Sequence, residues 1–201
     1  MAFFSDRNAG LAFMILAVIS AIAAVVMVVM SFMDIDIKEM DGYETPYYVI
    51  VAVGALIGAC MYFTFGRKVR NGEVPQKIDI LALYVRIFGI VMIIGGICKA
   101  VGEAVGQDNF DAGASIVGAI VAIVIGLIII FIAGKINDGV KTTGDKVIWI
   151  ILLVLFVLMI IASIMEIISI IALPVGICDL IVSVFMISLL TDPEVKSAMN
   201  M

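Results

Sequence analysis

Apolar residues in this chain neither alternate nor recur on one helical face. They run in blocks of roughly 18–25 residues, the length of a bilayer-spanning helix, separated by short charged or glycine-rich segments. Six blocks stand out: about Ala9 to Met33, Tyr47 to Phe65, Ile80 to Ala104, Ala114 to Ala133, Val147 to Ile170, and from just after Pro174 to Leu190. In water such blocks could not be covered by the rest of so short a chain. In lipid they need no cover, and a helix satisfies its own backbone groups. The start, MAFFSDRNAG, carries one Arg and leads into an apolar run longer than a signal-peptide core, so the run reads as the first span. The tail TDPEVKSAMNM reads as short and frayed.

The segments between the blocks alternate in charge. Asp34, Asp36, Glu39, Asp41 and Glu44 outweigh Lys38 in the first loop, and GQDNFDAG, the third, is acidic too. Arg67, Lys68, Arg70 and Lys77 crowd the second loop; Lys135, Lys141 and Lys146 mark the fourth. Lys and Arg near span ends stay on the cytoplasmic side, which puts loops two and four inside and both termini with them. Tyr47, Tyr48 and Trp149 stand where an interfacial aromatic belt would lie. The expected fold is all-α: a single transmembrane domain over 1–201, a six-helix bundle of three tandem hairpins at about 9–66, 80–134 and 147–190.

The hairpins look related. Setting Gly66 over Gly134 places Gly54 opposite Ala122 and Gly58 opposite Gly126 without a gap, and Gly118 extends the stripe along span four. Small residues four apart let helix backbones approach in lipid, so Gly54, Gly58, Gly118, Ala122 and Gly126 are the expected packing positions. Copies in one orientation imply pseudo-symmetry about the membrane normal.

Composition agrees. The 201 residues are 64% hydrophobic and 14% charged, with mean hydropathy +1.27, against about 45–50% apolar and about 25% charged in soluble domains. There is no histidine, which removes His-ligated metals and His-based triads. Cys60, Cys98 and Cys178 lie inside apolar runs without a CxxC spacing, and the thirteen methionines have no ligating pattern. No phosphate loop, dinucleotide fingerprint or GxSxG occurs. No cofactor and no metal is expected, and no basic patch interleaved with aromatics points to nucleic acid. The expected partners are the lipid bilayer and a further membrane protein, either another chain or a second copy.

Ionisable residues inside spans are costly and are the natural candidates for function. Lys99, Glu166 and Asp179 each fall about five residues from the outer end of a span, which puts them in one layer roughly 8 Å below the surface. Gly96-Ile97-Cys98-Lys99 and Gly176-Ile177-Cys178-Asp179 share a local pattern. The expectation is that Lys99 pairs with Asp179, Glu166 or both, either as a register-fixing ion pair or as a binding layer. Arg86 is expected to reach back to the inner phosphates, and Glu103, four residues after Lys99, to be interfacial and solvated.

Segments such as RIFGIVMIIGGICKAVGE and ASIVGAIVAIVIGLIIIFIAGKIND, within three two-span hairpins, resemble the HdeD-like short-repeat membrane proteins of bacteria and archaea. The resemblance implies a multispan bundle linked to acid stress; it brings no catalytic motif and gives no residue a role. The leading functional reading is a non-enzymatic multispan protein of a prokaryotic plasma membrane, envelope- or stress-related or a subunit of a membrane assembly. The alternative is a small-solute or ion transporter or channel, including an importer's substrate-binding component, built on Lys99, Glu166 and Asp179.

Overall fold

The computed structural model describes residues 6–33, 42–107, 110–139, 144–168 and 173–201; the side chains of 6–7, 166, 173–175 and 178 fall outside the description. Seven helices occupy them: α1 (Asp6–Phe32), α2 (Thr45–Arg70), α3 (Lys77–Gly106), α4 (Ala112–Ile136), α5 (Gly144–Ile168), α6 (Leu173–Leu190) and α7 (Pro193–Ala198). Five of them, α1 to α5, are long and apolar enough to cross a membrane; the apolar stretch described in α6, Asp179–Leu190, is shorter. The chain is a multi-pass helical membrane protein.

Local chemistry sets several helix ends. Pro46 sits in the first turn of α2, where its missing N–H costs nothing. The Asp111 carboxylate caps α4, accepting from the N–H groups of Gly113 and Ala114 at 2.9 and 3.1 Å. Beyond α2 the chain turns at Gly72, whose φ of 74° suits a residue without a Cβ. Most of the predicted acidic first loop, Asp34, Asp36, Lys38, Glu39 and Asp41, and Lys141 of the fourth, lie outside the described residues.

α1 lies along α2, α3 along α4 and α5 along α6; α2 also packs on α3 and α1 on α6, whereas α4 and α5 barely meet. Two of the close crossings bring backbone onto backbone. A Cβ at Gly66 would stand 2.6 Å from the Gly10 carbonyl oxygen, and one at Gly89 2.8 Å from that of Gly126. Gly54 faces Cys98, Gly58 faces Val91 and Ala122 faces Gly96. Gly118 does not pack: nothing lies within 4 Å of where its Cβ would be, because α4 has diverged from α3 there. Gly134, set opposite Gly66 in the internal alignment, is likewise open.

The core is concentrated at the end carrying Arg67, Lys68, Arg70 and Lys77, called here the basic end. Tyr84 sits at its centre, with ring centroids at 5.5 Å from Phe13, 6.1 Å from Tyr62, 6.2 Å from Phe65 and 6.2 Å from Phe156. That joins α1, α2, α3 and α5, and Phe185 adds α6 through Phe13 at 6.1 Å. Towards the other end, the tyrosine end, α1 and α5 expose Ile22, Val25, Val29, Ile161 and Ile164, a surface suited to lipid tails. There Tyr43, Tyr47 and Tyr48 stack together, with Tyr47 seated against Gly102 and Gly106.

The tail is not frayed. α7 folds back with Val195 at 0% and Met199 at 2% exposure. Asp192 caps it and accepts a 2.7 Å hydrogen bond from the Lys77 ammonium at the start of α3. Trp149 donates its indole N–H to the Leu190 carbonyl at 2.9 Å, and Lys196 lies 5.8 Å from its ring centroid.

Two outcomes follow. Gly66→Ala and Gly89→Ala force backbones apart and should lower stability in detergent by about 1–3 kcal/mol, whereas Gly118→Ala should be neutral or stabilising by up to about 1 kcal/mol; thermal unfolding of the purified variants measures both. The Lys77 hydrogen bond holds the Asp192 carboxyl below its ordinary range. The unfolded chain therefore binds this proton more readily, so the clasp contributes fully above about pH 4 and is lost as pH falls through the lowered native value. The melting temperature of the wild type should drop across that window more steeply than that of Asp192→Asn.

Candidate functional site

Salt bridges and hydrogen bonds tie Lys77, Asp192, Trp149 and Leu190 into one level, from which depth along each helix can be read. Lys99 stands about 33 Å from Lys77 along α3, and Asp179 about 16 Å from Leu190 along α6, at about 1.5 Å per residue. The two are therefore at different depths, and the single layer expected for them is not what the backbone builds. α6 begins deep, so five residues from its start is near the middle of a hydrocarbon core of about 30 Å. The third member, Glu166, lies in α5 with its side chain outside the described residues.

Asp179 is half-buried. Ser183, one turn further along α6, is fully buried, and its hydroxyl has no hydrogen-bond partner among the described residues. By depth along α6, Asp179 thus stands deeper in the membrane than the aromatic core in which Tyr62 and Tyr84 meet, their ring centroids 6.1 Å apart. The signal for Tyr62 and Tyr84 was present in the sequence as polar-tipped rings inside apolar runs; the pattern alone could not say that they meet.

Lys99 belongs to a different place. Its side chain is 64% exposed and its ammonium lies 3.9 Å from Glu103. Glu103 is not solvated as expected: only 14% exposed, it accepts a 2.6 Å hydrogen bond from the Ser115 hydroxyl of α4. Above the Gly96–Ala122 crossing α3 and α4 part, leaving a groove of about 470 Å³ walled by Lys99, Glu103, Ser115 and the open Gly118. Small residues on α4 hold this groove open rather than closing a helix contact.

A second α3–α4 groove, about 510 Å³, opens at the basic end, lined by Arg86, Asp79, Glu73, Ile130 and Gly134 among others. Asp79 accepts a hydrogen bond from the side-chain amide of Asn137, just past the end of α4, and Glu73 one from Asn71 at 3.2 Å. Arg86 is exposed on the groove and makes no ion pair within 4 Å among the described residues. Within those residues no group of three or more Cys, Asp or Glu is placed to hold a metal ion.

No family model, curated protein or solved structure matches the chain.

Accessibility separates these places. In a background without native cysteines, Lys99→Cys should react rapidly with a polar thiol reagent added at the tyrosine end. Tyr84→Cys, at a position 2% exposed, should stay unmodified from both sides. Rapid labelling at residue 84 would mean an open path through the core.

Proposed function

We propose that this chain is a non-enzymatic, six-span protein of a prokaryotic plasma membrane, serving as a structural or partner-binding component of the envelope or of a membrane assembly. The basic end faces the cytoplasm and both termini lie inside, as the clustering of Arg67, Lys68, Arg70, Lys77 and Lys135 supports. Hairpin units at about 9–66, 80–134 and 147–190 derive from one ancestral repeat, and the resemblance to HdeD-like proteins carries the link to stress.

One observation supports this reading over a conduit. At the level of Tyr84 the interior is filled, with Phe13, Phe65, Tyr84 and Phe156 each at 2% exposure or less. A channel needs a wet route through that level. The second reading, a transporter, is favoured by Asp179 and the unpartnered Ser183 hydroxyl near mid-membrane, where a polar group signals function by default.

Flux decides between them. Proteoliposomes should pass protons, sodium and potassium no faster than protein-free vesicles. A saturable flux abolished by Asp179→Asn would replace the structural reading with the transporter.

A further inference from the structure

We infer that the α3–α4 groove at the basic end is a binding site for one phospholipid with a primary-amine headgroup, its phosphate held by Arg86 and its ammonium by Asp79. The inference does not depend on which side of the membrane the basic end faces.

Arg86 lies about 13 Å along α3 from Lys77, well inside the polar boundary. Side chains on a helix lean towards its N-terminus, so the guanidinium is carried back to about the depth of lipid phosphates. It is exposed there without an ion-pair partner among the described residues. A guanidinium at that depth needs a counter-charge, and phosphate fits its planar fork bidentately. Lys99, an exposed cation towards the other end of α3, is already beside Glu103, so its groove has no equivalent demand.

The acids in the same groove narrow the ligand. Asp79 precedes Arg86 by two turns on the same face, about 10 Å closer to the surface, and Glu73 lies beyond it at the groove mouth. Phosphate deeper and cation shallower is the order of a zwitterionic headgroup. A purely anionic headgroup would meet those carboxylates with like charge. A quaternary ammonium could not donate a hydrogen bond to Asp79, whereas a primary ammonium can. Leu83, Ile130 and Ala133 with the bare Gly134 give the groove an apolar wall beside the headgroup.

Native mass spectrometry of the full chain in detergent, with phosphatidylethanolamine, phosphatidylcholine and phosphatidylglycerol competing at equal concentration, tests this. Retained ethanolamine lipid should exceed choline lipid about tenfold, the worth of one charge-assisted hydrogen bond. Arg86→Gln should reduce retained lipid to the level of nonspecific adducts, and Arg86→Lys should fall between. Asp79→Asn should keep total lipid but erase the ethanolamine-over-choline preference. Undiminished ethanolamine lipid on Arg86→Gln would overturn the site. Preference for the glycerol lipid would make it an anionic-lipid site, equal retention of choline lipid would remove Asp79's role, and displacement by soluble glycerophosphoethanolamine at equal concentration would make the ligand a free phosphate ester; each overturns the proposal as stated. Should the arginine variants not purify as folded protein, the three-lipid competition on wild type decides alone. Because lipid retention is read apart from flux, its failure leaves the structural reading standing.

Discussion

In a bilayer an apolar side chain gains little by leaving lipid for a neighbouring helix, so helices meet where their backbones can touch. Here that happens at Gly10 with Gly66 and at Gly89 with Gly126, where a single added methyl would collide with a carbonyl oxygen. These crossings fix α1 on α2 and α3 on α4. Everything else about the bundle follows from where they fall. α3 and α4 part on either side of their crossing, and the parting beyond Gly96 and Ala122 creates the groove beside Lys99, while α2 and α3 stay close at the tyrosine end through Tyr47 against Gly106.

The aromatic core fills what those crossings leave. Phe13 and Phe65 flank the Gly10–Gly66 contact in sequence, and Tyr84 stands five residues before Gly89, so the rings converge at one level. α6 and α7 close that level from the third side through Phe185, Val195 and the Lys77–Asp192 clasp. Asp179 sits above a sealed floor as a consequence. Its depth is set by where α6 starts, and a carboxyl near mid-membrane is a different chemical object from a near-surface one beside a lysine.

Sequence pattern made the helical membrane class and the positions of the five long helices legible, because block length and charge alternation report directly on the bilayer. Gly54, Gly58, Ala122 and Gly126 were legible as packing positions for the same reason. Gly118 was not, since the spacing that makes a helix contact also makes a groove wall, and only the divergence of α3 and α4 separates the two. The Lys99–Asp179 layer failed on an assumption of equal span lengths: counting residues from each end presumes that every helix reaches the same surface. The α7 clasp was hidden because Asp192 and Lys77 are far apart in sequence and each looks like an ordinary solvated charge alone.

α3 is the helix on which these threads meet. One side carries Tyr84 and faces the core; Gly89 and Gly96 press against α4; Arg86, Lys99 and Glu103 open onto the two grooves beside it. A helix of 30 residues is longer than a core of about 30 Å requires, so its charges can sit near both boundaries while its glycines hold the middle. Lys99 lies beside Glu103, whereas Arg86 has no ion-pair partner among the described residues. One helix thus offers its two exposed cations different environments, one beside a carboxylate at the tyrosine end and one on the groove at the basic end. The lipid phosphate inferred for the basic-end groove is the counter-ion that Arg86 would take from outside the chain.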